Sequence, residues 1–266
     1  MANKDIKVVI ATHKKYVMPQ DEMYLPLEVG AACREAHTGY QMDNSGDNIS
    51  EKNPGFSELT GLYWAWKNLD NDYIGLVHYR RYFAKNKVSG NPEQRLGEVL
   101  TSSQASSMLD DSDIVLPNLR KYYIENLYDH YTHTLFAEPL NTAGEIIQEC
   151  FPKYHKEFLN LHKRKSAHMF NMMIMKREVL NGYCEWLFAI LFELEKRVNK
   201  KGLQYDAFHS RFYGRISELL LDVYIRTNGL KYKEAKAVSI EPVNWIKKGG
   251  SFVRAKVTGR KYEESF

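Results

Sequence analysis

A chain of 266 residues with 44% hydrophobic and 26% charged residues has the make-up of a globular protein with a sizeable core, not of a disordered or fibrous one. Thirty-seven basic side chains against 33 acidic ones leave a formal charge of only +4, too small and too dispersed to argue for nucleic acid as a partner. Cys33, Cys150 and Cys184 are odd in number and scattered, with no CxxC pair, which argues against a disulfide framework or a zinc site and fits a reducing cytoplasm.

The apolar run IKVVIAT, residues 6–12, predicts a first strand that ends in the polar loop His13-Lys14-Lys15. It is too short for a signal peptide or a membrane span. LPLEVGAA reads as a second strand. Residues 38–53 form a loop dense in Asn, Asp, Gly and Ser, of a length that is usually functional in a compact domain. FSELTGLYWAWKNL reads as a helix with Ser57 as N-cap and Leu59, Leu62, Tyr63 and Trp66 on one face. DYIGLVHYRRYF, residues 72–83, starts as a buried strand and then presents His78, Tyr79, Arg80 and Arg81 in succession.

Residues 85–112 predict a loop with one helix over NPEQRLGEVLTSS, and SDIVLPN, residues 112–118, another short buried strand. The aromatic and histidine-rich KYYIENLYDHYTHTLFAEPL precedes a helix broken near Pro152. HMFNMMIMKREVL reads as a strand leading into a long helix through YCEWLFAILFELEKRVNK. GRISELLLDVYIRTNG is a last helix closed by Gly229, and residues 231–266 are basic, with one short strand at most. Alternating strands and helices over the first 120 residues predict an α/β fold with a mostly parallel sheet.

In open α/β sheets ligands bind beyond the carboxyl ends of the strands. His13, His78, Arg80, Arg81 and Asn118 lie just past such ends. Two arginines and a histidine there point to a phosphate-bearing ligand, because a guanidinium grips phosphate oxygens in a planar, bidentate way. If the strand runs on through residue 81, His78 and Arg80 share one face and Tyr79 and Arg81 the other. The alternative is an edge strand with solvated arginines.

Other constellations divide between chemistry and ordinary structure. The loop from Asp43 to Asn48 lacks the glycine and glutamate of an EF-hand and reads equally as a turn-former. Asp111 and Asp113 make an Asp-x-Asp, the pattern that holds a divalent metal against a diphosphate, but they precede a strand instead of following one. Asp70 and Asp72 share that defect. A late cluster gathers His168, Asn171, Asp206, His209, Arg215 and Glu218. Arg215 and Glu218 are helical neighbours, readable as a surface salt bridge or as a partly buried carboxylate fit to be a general base. No nucleophile elbow, P-loop, H-E-x-x-H or G-x-G-x-x-G occurs, which removes the commonest hydrolases, NTPases and dehydrogenases.

Four blocks, GDNISEKNPGFSELTGLYWAWKN, DYIGLVHYRRYF, HMFNMMIMKREVLNGYCEWLF and GRISELLLDV, together resemble a bacterial family of capsule, exopolysaccharide and O-antigen glycosyltransferases. The family was formerly catalogued as a domain of unknown function, and the resemblance covers residues 5–245. It implies a Rossmann-like A-type glycosyltransferase fold with a helical C-terminal half, in one domain over residues 1–245. Residues 1–120 would hold the nucleotide sugar, residues 121–245 the acceptor and catalytic groups, and residues 246–266 would be a basic tail.

The resemblance further implies inverting transfer of a hexosyl residue, galactofuranosyl in some members, from a UDP-sugar to a growing surface-polysaccharide oligosaccharide. Laid over this sequence, it puts Thr12, His13 and Lys14 in the first nucleotide-binding loop and Asn48 in the loop before the first helix. His78, Arg80 and Arg81 stand where related enzymes carry Asp-x-Asp, so transfer is expected to need no metal, the cations themselves neutralising the diphosphate. Glu218 is the first candidate for the base that deprotonates the acceptor and Asp206 the second. His168, Asn171, His209 and Arg215 are candidates for holding sugar or acceptor.

A lipid-linked acceptor would place the enzyme in the cytoplasm, peripheral on the inner face of the plasma membrane through its basic tail. Two rival readings stand beside this one. The first is a hexosyltransferase that uses Mn2+ or Mg2+ on Asp111 and Asp113; the second is a non-catalytic carbohydrate- or nucleotide-binding module with its aromatic residues as stacking platforms.

Overall fold

The computed structural model describes residues 4–241; the basic tail at 246–266 lies outside the described residues. The chain opens with β1 (Ile6–Thr12), β2 (Tyr24–Glu28), β3 (Gln41–Met42), α1 (Asn53–Phe56) and α2 (Leu59–Asn68). It continues through β4 (Tyr73–His78), β5 (Arg81–Ala84), α3 (Pro92–Leu96), α4 (Ser102–Met108), β6 (Ile114–Pro117) and β7 (Arg120–Lys121). The second half is largely helical: α5 (Leu127–Thr134), α6 (Ala137–Cys150), α7 (Pro152–His162), α8 (Arg177–Lys200) and α9 (Phe212–Thr227). Three strands interrupt or follow these helices, namely β8 (Ser166–Ala167), β9 (Met173–Lys176) and β10 (Tyr232–Ser239). Among the described residues no helix is long and apolar enough to cross a membrane.

Period-two alternation divides the core between the two faces of the sheet. Val9, Ala11, Ile74, Leu76, Met173 and Met175 pack into a large core against α2 and the C-terminal helices. Val8, Ile10, Val77, Met172 and Ile174 turn the other way, into a smaller core with Tyr82, Phe83, Leu96 and Leu100. Slipping β4 by one residue would exchange these faces. Each fully buried aliphatic side chain contributes roughly 1.5–3 kcal/mol, so the register of β4, and with it the position of His78, is firmly set. Gly75 sits where β9 crosses β4, and a Cβ there would lie 2.7 Å from the Met173 carbonyl oxygen.

The eight strands of the main sheet run in the order β3-β2-β1-β4-β5-β10-β6-β9, and β9 also pairs with β4. The expectation of a mostly parallel sheet is overturned: the sheet is mixed. β4 pairs antiparallel with both β5 and β9, as do β5 with β10 and β6 with β9. The separate β7–β8 pair is antiparallel too. The physical reason lies in the connections. β5 folds straight back from β4 without a crossover, and β9 and β10 arrive from the distant second half, where strand alternation in the first 120 residues has no bearing.

Smaller expectations are also corrected. Ser57 is not the N-cap of α2, because its φ of 53° ends α1 and it makes no capping hydrogen bond. The single helix expected over residues 91–103 is two short ones, α3 and α4, each with its own capping box, from Asn91 with Gln94 and Thr101 with Gln104. The break at Pro152 and the closing Gly229, at φ 60°, stand as expected. The basic stretch after Gly229 contributes eight residues to the middle of the sheet as β10, where its paired neighbours supply the order that its polar composition does not announce.

Candidate functional site

The strand expected through residue 83 reverses after His78. His78 and Arg81 are directly opposed across β4 and β5, leaving Tyr79 and Arg80 as a two-residue turn. Opposed residues of an antiparallel pair point to the same face, so His78 pairs with Arg81, not with Arg80. The His78 Nε2 lies 2.5 Å from the Phe170 carbonyl oxygen, which can only accept, so this nitrogen carries the proton. Arg81 stacks on the Phe170 ring, with Cζ 3.9 Å from the centroid. Arg80 leans away, over the Tyr79 ring at 5.1 Å and toward Glu241 at 3.5 Å.

Phe170 and Asn171 hold φ values of 81° and 51°, the left-handed region that non-glycine residues seldom occupy. Tertiary bonds hold them there. The buried Asn171 amide donates to Glu58 Oε1 at 2.7 Å and to the Gly214 carbonyl at 3.0 Å. This pair of residues therefore ties the entry of β9 to the start of α2 and to α9, fixing Glu58 and His78 relative to one another.

Around this hairpin opens a cleft of about 290 Å³. Six guanidiniums line it, from Arg34, Arg80, Arg81, Arg120, Arg211 and Arg215, facing only two carboxylates, Glu58 and Glu218. His13, His78, Asn53 and Ser57 add to its polar wall. Burial, with help from Arg34, Lys14 and other cations, holds the His13 imidazole below its ordinary pKa. Burial lowers His78 as well, with Glu58 opposing the shift and Arg81 adding to it. Burial also lowers Arg81, with the field of Glu218 opposing the shift and the neighbouring arginines adding to it.

Glu218 is pushed the other way. Only 5% exposed, its carboxyl is raised above the usual range by burial, against the pull of Arg215 at 3.7 Å. The cleft thus combines a strong anion field with one carboxyl adjusted toward proton transfer. Its donor set suits an anion better than a cation, and among the described residues no group of three or more His, Cys, Asp or Glu could hold a metal ion.

Of the residues singled out in the sequence, His13, His78, Arg80, Arg81, Arg215 and Glu218 line this cleft. The others lie outside its lining. Thr12 is buried and donates its hydroxyl to the Lys14 carbonyl, shaping the loop, while Lys14 sits over the Tyr16 and Tyr79 rings. Asn48 bonds within its own loop, to the Gly46 carbonyl and the Ser50 amide. The same loop is organised by Asp43, fully buried, which accepts from the Gly30 and Ala31 amides and the Ser50 and Thr60 hydroxyls. Asn118 bonds Glu234 at 3.3 Å.

His168 is fully buried between Asp222, at 2.5 Å, and Glu234, at 3.3 Å, and presents nothing to a sugar. Asn171 lies beneath the cleft. Asp206 caps a turn: it accepts from the Phe208 and His209 amides and the His209 ring, and those bonds, the His209 amide foremost, hold its pKa low. Asp111 and Asp113 lie at the opposite edge of the sheet. β4 and β6 both run antiparallel to β9, so the start of β6 is far from the end of β4. Asp111 is ion-paired with Lys233, and Asp113 accepts from the Lys231 amide.

Sequence reasoning missed Glu58, Arg34, Arg120 and Arg211, which stand in polar stretches without periodicity or motif. Glu58 had one signal, its place inside the FSELTGLYW block that carries the family resemblance.

Residues 7–229 match the model of a family described as a domain of unknown function, DUF4422. Among solved structures, the apo structure of the WbbM bifunctional glycosyltransferase is similar with a TM-score of 0.80 at 28% sequence identity. The similarity covers 90% of this chain and 46% of that one, so this chain spans less than half the length of that relative. No curated protein matches the chain.

Proposed function

The chain belongs to the DUF4422 family, and on that footing we propose that it is a glycosyltransferase: an inverting enzyme that moves a hexosyl residue from a UDP-sugar to an oligosaccharide of surface-polysaccharide assembly. The observation that carries this reading is the arginine-lined cleft at the β4–β5 hairpin with the raised carboxyl of Glu218 in its wall. Likeness to a glycosyltransferase over 90% of the chain supports the same class. Galactofuranose is the first donor sugar to test, on the resemblance of the sequence blocks.

In this mechanism the donor diphosphate lies over the hairpin turn. Guanidiniums from Arg34, Arg80 and Arg211 meet its oxygens. The acceptor hydroxyl gives its proton to Glu218 as its oxygen bonds to the anomeric carbon. The carbon–oxygen bond to the diphosphate breaks, and its electron pair leaves with UDP. Protonation turns Glu218 into the neutral form that its burial favours, while the charge gained by the leaving group falls on fixed cations. His78, with its Nε2 proton engaged by Phe170, shapes the floor of the cleft.

Cations of the protein replace a metal in this scheme. Release of UDP from UDP-galactofuranose and other UDP-sugars, with and without exhaustive chelation, tests it. Turnover that survives chelation and depends on Glu218 supports the reading. Activity lost to the chelator and restored by Mn2+ or Mg2+ would show that the guanidiniums do not suffice. Binding without any donor hydrolysis or transfer would favour the rival reading of a non-catalytic module.

A further inference from the structure

The cleft holds more positive charge than a donor requires. Six guanidiniums against two carboxylates, with Arg80 paired to Glu241 outside the lining, leave an excess of three positive charges. A diphosphate joining nucleoside to sugar ionises once on each phosphate, and so offsets two of the three. Cations left over in a cleft partly shielded from water are costly unless another anion meets them.

The arginines also fall into two groups. Arg34, Arg80 and Arg211 act together on His13, each already anchored: Arg34 on the Val29 carbonyl, Arg80 toward Glu241, Arg211 on the Ser57 hydroxyl. Arg81 and Arg120 gather instead on the Phe170 ring, at 3.9 and 5.7 Å from its centroid, and Arg215 stands 3.7 Å from Glu218. Among the described residues neither Arg81 nor Arg120 forms an ion pair, and the burial of Arg81 already lowers its pKa. Two planar forks thus share the Phe170 ring, with Arg120 also over Tyr122 at 5.1 Å, and together with Arg215 their charge acts on one carboxylate, Glu218.

We propose that Arg81, Arg120 and Arg215 form a second anion subsite, and that the acceptor bound there carries a phosphate or carboxylate group near the hydroxyl that is glycosylated. An acceptor oxyanion held between Arg81 and Arg120 would set the neighbouring hydroxyl beside Glu218. A neutral sugar would leave those guanidiniums unmet, so selection among acceptors follows from charge as well as shape. This inference rests on the donor reading for the role of the first group of arginines.

Calorimetric titration of the whole chain, first saturated with UDP, provides the test. Methyl phosphate and the methyl glycoside of glucuronic acid serve as probes, one for each source of oxyanion. At least one is expected to bind the UDP-saturated protein, and which one identifies the acceptor's charged group. Arg120→Gln should weaken that binding by about tenfold or more, as expected for a lost charge-assisted hydrogen bond. UDP affinity in the same variant should change by less than about twofold, since Arg120 faces the other group. Arg120→Lys, which keeps the charge and loses the fork, should fall between.

Neither probe binding, strict competition between probe and UDP, or equal weakening of both in Arg120→Gln would overturn the proposal. UDP that fails to bind while a probe still depends on Arg120 would instead overturn the donor reading and leave the oxyanion subsite standing.

Discussion

The two edges of the central sheet carry similar charge runs and use them differently. At one edge, His78 and Arg81 end a buried strand and open on the arginine-lined cleft. At the other, Asp110, Asp111 and Asp113 begin a buried strand, and each is met locally, by Lys4, Lys233 and the Lys231 amide. In sequence both look like a charged cluster attached to an apolar strand. The difference is the direction of the strand and the presence of a neutralising partner. A charge run reads as a site when it lies at the carboxyl edge and the fold leaves it unmet.

That contrast is open to measurement, and the largest effect belongs to the carboxyl at the cleft. Glu218→Gln is expected to lower transfer by about a hundredfold to ten-thousandfold, the usual range for a lost general base, with UDP affinity retained. Wild-type-like turnover in this variant would remove Glu218 from the chemistry. Next, Arg81→Gln should cost about tenfold or more in transfer, whereas Asp111→Asn combined with Asp113→Asn should stay within about twofold of wild type. A double aspartate variant as damaged as Arg81→Gln would erase the distinction between the edges.

Acidity sharpens the comparison further. A base must be ionised, so transfer should rise with pH through the raised pKa of Glu218, and this limb should be absent in Glu218→Gln. Stability runs the opposite way. The folded pKa lies above the ordinary 4.5, so the contribution of the protonated carboxyl is fully present below that value and is lost as pH rises through the folded pKa. The smallest effect lies away from both edges. Burial lowers His130 and His162 from 6.5 to about 4, so their neutral forms stabilise the fold above 6.5, and that contribution is lost as pH falls toward about 4. A melting temperature that does not decline across this window would remove these two histidines from the acid response.

Much of this architecture was legible in the residues themselves. The apolar runs at 6–12 and 114–117 announced buried strands, and Pro152 and Gly229 marked helix ends, because each is a local signal with a local cause. The hairpin turn at Tyr79–Arg80 was not legible, since neither residue belongs to the usual turn chemistry, and only pairing to β5 and β10 fixes it. His168 shows the same limit at the site. A polar residue beside an apolar run looks available, yet its burial between Asp222 and Glu234 is decided by helix α9 and strand β10, which lie more than fifty residues further along. Arg34, Arg120 and Arg211 reach one cleft from three separate segments of the chain that no spacing rule connects.

Strand β10 carries a consequence for how the protein is made. It lies between β5 and β6, pairing with one in antiparallel and with the other in parallel fashion. While a ribosome is still translating residues 85–231, both of those edges have emerged or are emerging with no partner to cover them. The nascent chain therefore carries two sticky borders from the completion of β6 until residue 232 is made, the condition under which chaperones that shield strand edges matter most. The wedge that completes the sheet arrives only after residues 85–231 have been made, so a chain truncated before residue 232 would open the sheet between β5 and β6 instead of merely shortening it at an end.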